Sequence, residues 1–357
     1  MATMFDEVTF TRGPAMANRF MLAPLTNQQS HDDGTLSDDE RCWLVRRGEG
    51  GFGLTMTCAA HVSPTGQGFP GQLGCFDDAQ LPGLRRLATE LRATGTVSIV
   101  QLHHAGTRSP AELVGQAVAP FDDPSTGARA LTTGEIEAVI DDFASAAARV
   151  EAAGFDGVEI HGAHGYLLCQ FLDAERNQRT DGWGGDLEGR LRIYDAVLQA
   201  IRSRCRPDFH VGMRLSPERF GVRMVEVLEL GRRLLGGGQL DLLDLSLWDV
   251  RKTAADPDYL DTPLLPHFTA LDRGATRLAV AGRLYRGEDC QWALDQGADV
   301  LAIGRAAITN HDFPELLRQD PAAQMRELPV PVEVLRAESL GEAFITYLRG
   351  WPGFVGE

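Results

Sequence analysis

The chain has 357 residues, with a formal net charge of −16, 43% hydrophobic and 24% charged residues. That balance suits a globular protein and disfavours nucleic acid or an anionic membrane surface as a partner. No apolar run approaches the roughly 18 residues of a membrane span, and the opening MATMFDEVTF has no long apolar stretch. Six cysteines (Cys42, Cys58, Cys75, Cys169, Cys205 and Cys290) are scattered without a CxxC pair. Their spacing argues against structural zinc or an iron–sulfur cluster and fits reduced thiols in a cytoplasmic protein.

In chain order, eight short apolar runs alternate with helical patterns. The runs are Phe20–Leu25, Gly53–Thr57, Val97–Leu102, Gly157–Ile160, His210–Leu215, Leu240–Leu245, Arg277–Ala281 and Val300–Ile303. They lack strict alternation, as parallel strands buried on both faces do. Ser37 precedes Asp38, Asp39 and Glu40, which predicts a capped helix running to about Gly48. Leu84, Leu87, Ala88 and Leu91 repeat at helical spacing before Gly95. Ile136, Val139, Ile140, Phe143, Ala147 and Val150 do so between Thr132 and Gly154. Further helices are expected over Leu191–Ile201, Val225–Leu235, Leu264–Leu271, Cys290–Leu294 and Phe313–Leu317.

Eight strand–helix units in series predict an α/β chain folded as a (β/α)8 TIM barrel, a single domain over residues 1–320. Helix-to-strand links are short and carry glycine. Strand-to-helix links are long: His103 to Leu131, Gly162 to Glu188 and Leu247 to Leu260. Barrel enzymes place their chemistry on that second kind of loop. The alternative, an open doubly wound sheet, lacks a GxGxxG after its first strand. Residues 321–357 read as a C-terminal arm, and the aromatic YLRGWPGF within it suggests docking on the barrel or on a partner subunit.

The strand ends carry the polar chemistry. Thr26 follows Pro24 after the first run, and small residues follow the second. Gln101 ends the third, and Arg214 lies in the fifth. The fourth run opens into His161, His164 and Tyr166. The seventh and eighth end in Gly282–Arg283 and Gly304–Arg305, where barrels often bind phosphate. A phosphate cradle, an amide and a guanidinium for a planar ring, and a His-x-x-His-x-Tyr cluster together suit flavin mononucleotide. A metal-binding HGAH pair is the competing reading, though neither CxxC nor HExxH accompanies it.

These residues resemble the Old Yellow Enzyme family of FMN-dependent NAD(P)H oxidoreductases. The motifs are NRFMLAPLT at 18–26, VQLHHAG at 100–106, the whole of 154–190, VGMRLSP at 211–217 and AIGR at 302–305. The resemblance implies tightly but non-covalently bound FMN, NADPH or NADH as reductant, and reduction of an enone, enal or nitro compound. Ala23, Pro24, Leu25, Thr26, Ala59, Gln101 and Arg214 would contact the flavin ring. Ala281, Gly282, Arg283, Gly304 and Arg305 would hold its phosphate. His161 and His164 would grip the substrate oxygen, and Tyr166 would supply a proton. Gln28 would touch substrate, and Arg349 would reach a neighbour's pocket in a homodimer or higher homo-oligomer. His103 and His104 read as supporting loop residues. Asn177, Arg179, Asp181 and Arg190 read as pins of the fourth loop. The chain departs from one branch of the family at Thr26, where that branch has Cys, and at Gln28, where it has Tyr. Trp183 stands where the family has tyrosine. An amine-oxidising flavoenzyme on the same scaffold and a metal-dependent barrel hydrolase are the alternative activities.

Overall fold

A computed structural model describes residues 2–260 and 262–357. The eight apolar runs form parallel strands: β1 (Phe20–Leu22), β2 (Leu54–His61), β3 (Val97–His103), β4 (Gly157–Gly162), β5 (His210–Leu215), β6 (Leu242–Ser246), β7 (Arg277–Ala281) and β8 (Val300–Ile303). They close into a barrel in which β1 pairs with both β2 and β8. Closure rules out the open sheet. Strand β1 is shorter than its apolar run because Pro24 has no N–H to continue the ladder, although Ala23 still donates to the Ile303 carbonyl at 3.0 Å. Strand β2 is longer, since a bulge between Met56 and Ala59 lets pairing with β3 resume as far as His61.

Helices α1 (Asp38–Glu49), α2 (Leu81–Thr94), α3 (Thr133–Ala153), α4 (Leu187–Arg204), α5 (Met224–Gly236), α6 (Leu264–Thr269), α7 (Gly287–Asp295) and α8 (Phe313–Gln319) connect the strands and cover them. Local chemistry sets their ends. Thr132 and Glu135 form a reciprocal capping box at the start of α3, and Gly154 closes it at φ +98, a conformation that glycine adopts without strain.

Side-chain alternation sorts the strands into two cores. Outward residues such as Leu22, Val100, Ile160, Met213, Leu245, Val280 and Ile303 pack with the helices. Inward residues near the strand starts form a separate cluster of Met21, Leu54, Met56, Val97, Ile99, Leu242, Ala279 and Val300. Val8 and Met16, bridged to each other, join that cluster. Further along the strands the inward positions turn polar: Gln101, Glu159, His161, Arg214, Asp244 and Ser246, all buried.

Beyond the barrel, α9 (Val332–Ala337) and α10 (Glu342–Arg349) give the arm helical structure that the sequence pattern did not resolve. The arm packs on its own barrel. Phe344 meets Trp43 of α1 edge-on at 5.5 Å, and buried Arg47 of α1 donates to the carbonyls of Ala307, Ile308 and Glu338 at 3.1, 3.3 and 2.6 Å. Phe344→Ala is expected to destabilise the protein by about 3 kcal/mol through the cavity it leaves, as read from urea denaturation midpoints.

Candidate active site

Each strand end delivers one part of the site. After β1, Ala23 is buried while Pro24, Leu25 and Thr26 are half-buried. Their loop is anchored from beneath by Glu40 of α1, which accepts from Asn27 at 3.2 Å and from Ser30. Gln28, in the same loop, takes a left-handed φ of 57. On β2, the Ala59 carbonyl accepts from Gln72, whose amide nitrogen also lies 3.0 Å from His103 Nδ1. Gln101 on β3 donates to Glu159 Oε1 at 2.7 Å.

Strand β4 supplies the histidines, and their hydrogen bonds form a directed chain. The Ala163 N–H donates to His161 Nδ1 at 3.2 Å, so His161 carries its proton on Nε2. That nitrogen lies 3.3 Å from His164 Nδ1, which must therefore accept. His164 Nε2 is left as the donor and sits 2.7 Å from Ser246 Oγ on β6. The His164 backbone N–H, at φ 60, is held by Ser216 Oγ at 3.0 Å. Burial drives His161, His164 and His103 well below the ordinary imidazole range, and Arg214 adds to the effect on the first two. All three rings are neutral at pH 7.

Tyr166 packs edge-on against His161 at 5.1 Å and against His103 at 4.3 Å. The Arg108 guanidinium lies over the Tyr166 ring at 4.5 Å and donates to the His164 carbonyl at 2.7 Å. Burial raises the Tyr166 phenol, Arg108 pulls it down, and Tyr347 of the arm pushes it up. His103 thus belongs to the cluster, whereas His104 is buried aside, against Gly66 and Thr65, with its imidazole pushed down to about 3.

The remaining strands finish the rim. Arg214 Nε on β5 lies 3.0 Å from Asp244 Oδ2 on β6. After β7, half-buried Ala281 leads to Gly282, where an added Cβ would come within 2.8 Å of the Asp249 amide nitrogen. Arg283 is exposed, with φ 49, and pairs with Asp249 at 3.3 Å. After β8, a Cβ on Gly304 would meet only the Leu25 side chain, at 3.7 Å. Arg305 faces the Tyr285 hydroxyl at 3.3 Å and the Trp351 ring at 5.2 Å. Arg349 is exposed on the last turn of α10, outside the cluster. Asn177 and Arg179 do pin the fourth loop. Asn177 donates to the carbonyls of Phe171 and Trp183 at 2.6 and 2.9 Å, and Arg179 to those of Pro120 and Leu131 at 2.9 and 2.6 Å. Arg179 also pairs with Asp181, and Arg190 with Glu226, both at 2.5 Å.

The residues fit a flavin nucleotide. Ala23, Ala59 and Gly304 put little bulk at their strand ends, as a flat ring would need, and Arg283 and Arg305 at the β7–β8 end are the kind of donors a phosphate would need. Arg214 Nε, His103 Nε2 and both Asp244 oxygens are buried without a hydrogen-bond partner among the described residues. Among those residues, no three His, Cys, Asp or Glu side chains group to hold a metal.

A closed parallel barrel with these groups at its mouth has the make-up of a flavin-dependent oxidoreductase, and the comparisons with known proteins give that class. Residues 4–324 match the NADH:flavin oxidoreductase / NADH oxidase family, and the chain belongs to that family, within the Old Yellow Enzyme group. Its cofactors are FMN and NADH or NADPH. It is 37% identical over 337 residues to the probable NADH-dependent flavin oxidoreductase YqiG of Bacillus subtilis, covering 90% of this chain and 89% of that protein. It spans only 35% of each of two longer relatives. Among solved structures, it is similar to the Old Yellow Enzyme homologue from Zymomonas mobilis, with TM-score 0.81, 28% identity and coverage of 94% and 96% of the two chains. Morphinone reductase in complex with tetrahydroNAD gives TM-score 0.79, 29% identity and 94% coverage of both chains.

Sequence reasoning missed Ser246, Ser216 and Arg108. Ser246→Ala is expected to release the His164 tautomer and weaken binding of a phenol to the flavin-loaded protein about fivefold, the worth of one hydrogen bond. Titration of the flavin absorption band measures it, and an unchanged dissociation constant would remove Ser246 from the chain.

Proposed function

We propose that the protein is an FMN-dependent ene-reductase, which uses NADH or NADPH to reduce the activated C=C bond of an α,β-unsaturated carbonyl or nitro compound. The observation that carries this reading is the pair of neutral imidazoles 3.3 Å apart with Tyr166 edge-on beside them at the open end of the barrel. FMN, held by the ring- and phosphate-contacting residues named below, would supply the hydride-transfer chemistry between the nicotinamide and the substrate. The protein's own groups do the rest. His161 Nε2–H turns from His164 to the substrate oxygen, and His164, its Nε2 then accepting from the Ser246 hydroxyl, offers Nδ1–H to the same atom. Neutral donors held in a buried site stabilise the negative charge that builds on that oxygen.

Tyr166 gives its phenolic proton to the α-carbon. The burial that raises its pKa keeps it protonated at neutral pH, so it is ready as a general acid. Once the proton has left, the Arg108 guanidinium over the ring steadies the phenolate. Ala23, Pro24, Leu25, Thr26, Ala59, Gln101 and Arg214 hold the ring of the cofactor in this reading. Ala281, Gly282, Arg283, Gly304 and Arg305 hold its phosphate. Gln28 borders the substrate, and Arg349 of a partner subunit completes the pocket in a dimer.

Tyr166→Phe is expected to slow enone reduction about a hundredfold or more, the usual weight of a general acid, while leaving flavin reduction by NADPH nearly unchanged. Stopped-flow measurement of the two half-reactions with 2-cyclohexenone tests this, and equal slowing of both would remove Tyr166 as the donor. A protein that oxidises NADPH with no enone, enal or nitroalkene yet turns over amines would overturn the ene-reductase reading. Arg305→Ala is expected to loosen FMN at least tenfold, since a charge-assisted hydrogen bond contributes about 1.5–3 kcal/mol. Equilibrium dialysis of the cofactor measures it.

A further inference from the structure

Two buried acidic side chains, Glu159 and Asp244, stand on the strands either side of Arg214 and have no part in the chemistry above. Glu159, Arg214 and Asp244 lie on the adjacent strands β4, β5 and β6, with Arg214 and Asp244 in register as neighbours. Glu159 and Asp244 are fully buried, and Arg214 is 5% exposed. Toward the strand starts the barrel interior is apolar, and toward the mouth stands neutral His161.

Two carboxylates therefore share one guanidinium. Asp244 has it as an ion pair at 3.0 Å, too poorly aligned for a hydrogen bond. Glu159 has only the Gln101 amide on one oxygen, and its other oxygen is buried without a partner among the described residues. A buried carboxylate without a counter-ion takes up a proton. The facing groups agree. Burial pushes the Glu159 acid up to about 8, with the Asp244 charge adding and Arg214 and Gln101 opposing. Asp244 is also raised by burial, but Arg214 beside it pulls it down, so the single proton belongs on Glu159.

We infer that Glu159 holds a proton at neutral pH, so that Gln101, Glu159, Arg214 and Asp244 form an electrically neutral layer that limits the positive charge Arg214 presents to the flavin. Asp244 and Glu159 are then positioning residues acting through Arg214. This rests on Arg214 facing the flavin, as the proposed function has it, and not on the identity of the substrate.

The test is the reduction potential of bound FMN against pH in the wild-type holoenzyme, Glu159→Gln and Asp244→Asn. Gln mimics a protonated acid. Glu159→Gln should therefore keep the wild-type potential at neutral pH and lose the downward bend expected as Glu159 ionises above about pH 8. Asp244→Asn removes a negative charge beside Arg214 and should raise the potential throughout. A Glu159→Gln potential raised at neutral pH as far as that of Asp244→Asn would show Glu159 already ionised and overturn the inference. So would two variants with unmoved potentials.

Urea denaturation of the FMN-free protein gives an independent readout. A carboxyl that keeps its proton on folding, but loses it in the unfolded chain near pH 4.3, loses stability as pH rises toward about 8. The stability of Glu159→Gln relative to wild type should therefore climb across that window, and a difference that stays flat would also overturn the inference. If Asp244→Asn does not fold, Glu159→Gln decides alone. Neither readout uses substrate, so enone turnover can fail while both stand. A protein that bound no FMN would defeat the proposed function and leave the denaturation series to decide this inference.

Discussion

Closing eight parallel strands into a ring sends every second side chain to the inside, and the rest of the molecule follows from that constraint. Met56, Ile99 and Leu242 fill the interior near the strand starts. One or two steps further along the same strands the same parity aims Gln101, Glu159, His161, Arg214, Asp244 and Ser246 inward. The apolar end fills the barrel by packing alone. The polar end would be costly to bury unless its groups met one another, and most of them do.

Their meeting sets the electrical character of the mouth. Burial holds three imidazoles neutral, so the site offers directed N–H donors rather than fixed positive charge. The fixed charge comes from guanidinium groups: Arg214 inside the barrel, Arg108 over Tyr166, and Arg305 against Trp351. Hydrogen-bond direction at one level and charge at another are thus supplied by different residue types from different strands.

Much of this was legible in the sequence, because buried parallel strands are short, apolar and regularly punctuated. The strand ends gave His161, His164, Tyr166 and the two Gly-Arg pairs, and the structure brings the first three into contact. Where β1 stops and how far β2 runs depended on a missing N–H and a bulge, which change pairing without changing hydrophobicity. The arm's helices, though not the arm itself, escaped notice because they are only 6 and 8 residues long, too short for periodicity to declare itself. Ser246 was invisible for another reason: it meets His164 across 82 residues of chain, and no local pattern marks such a pair. His103 had a usable signal. It lies two residues after Gln101 on the same strand, so parity alone points it inward.

The Arg47 side chain joins two places that seem unrelated in the linear chain. Its guanidinium binds the carbonyls of Ala307 and Ile308, in the short helical turn that begins at Arg305, and the carbonyl of Glu338 between the two arm helices. A molecule that settles on Arg305 and a tail that settles on Glu338 therefore lean on one shared post. Were binding at Arg305 to firm the seat of the tail through this post, seating of the tail would firm that binding by the same factor. The tail would then fray most readily in molecules whose nucleotide seat is empty, and a protease nibbling from the carboxyl end would sort filled copies from vacant ones.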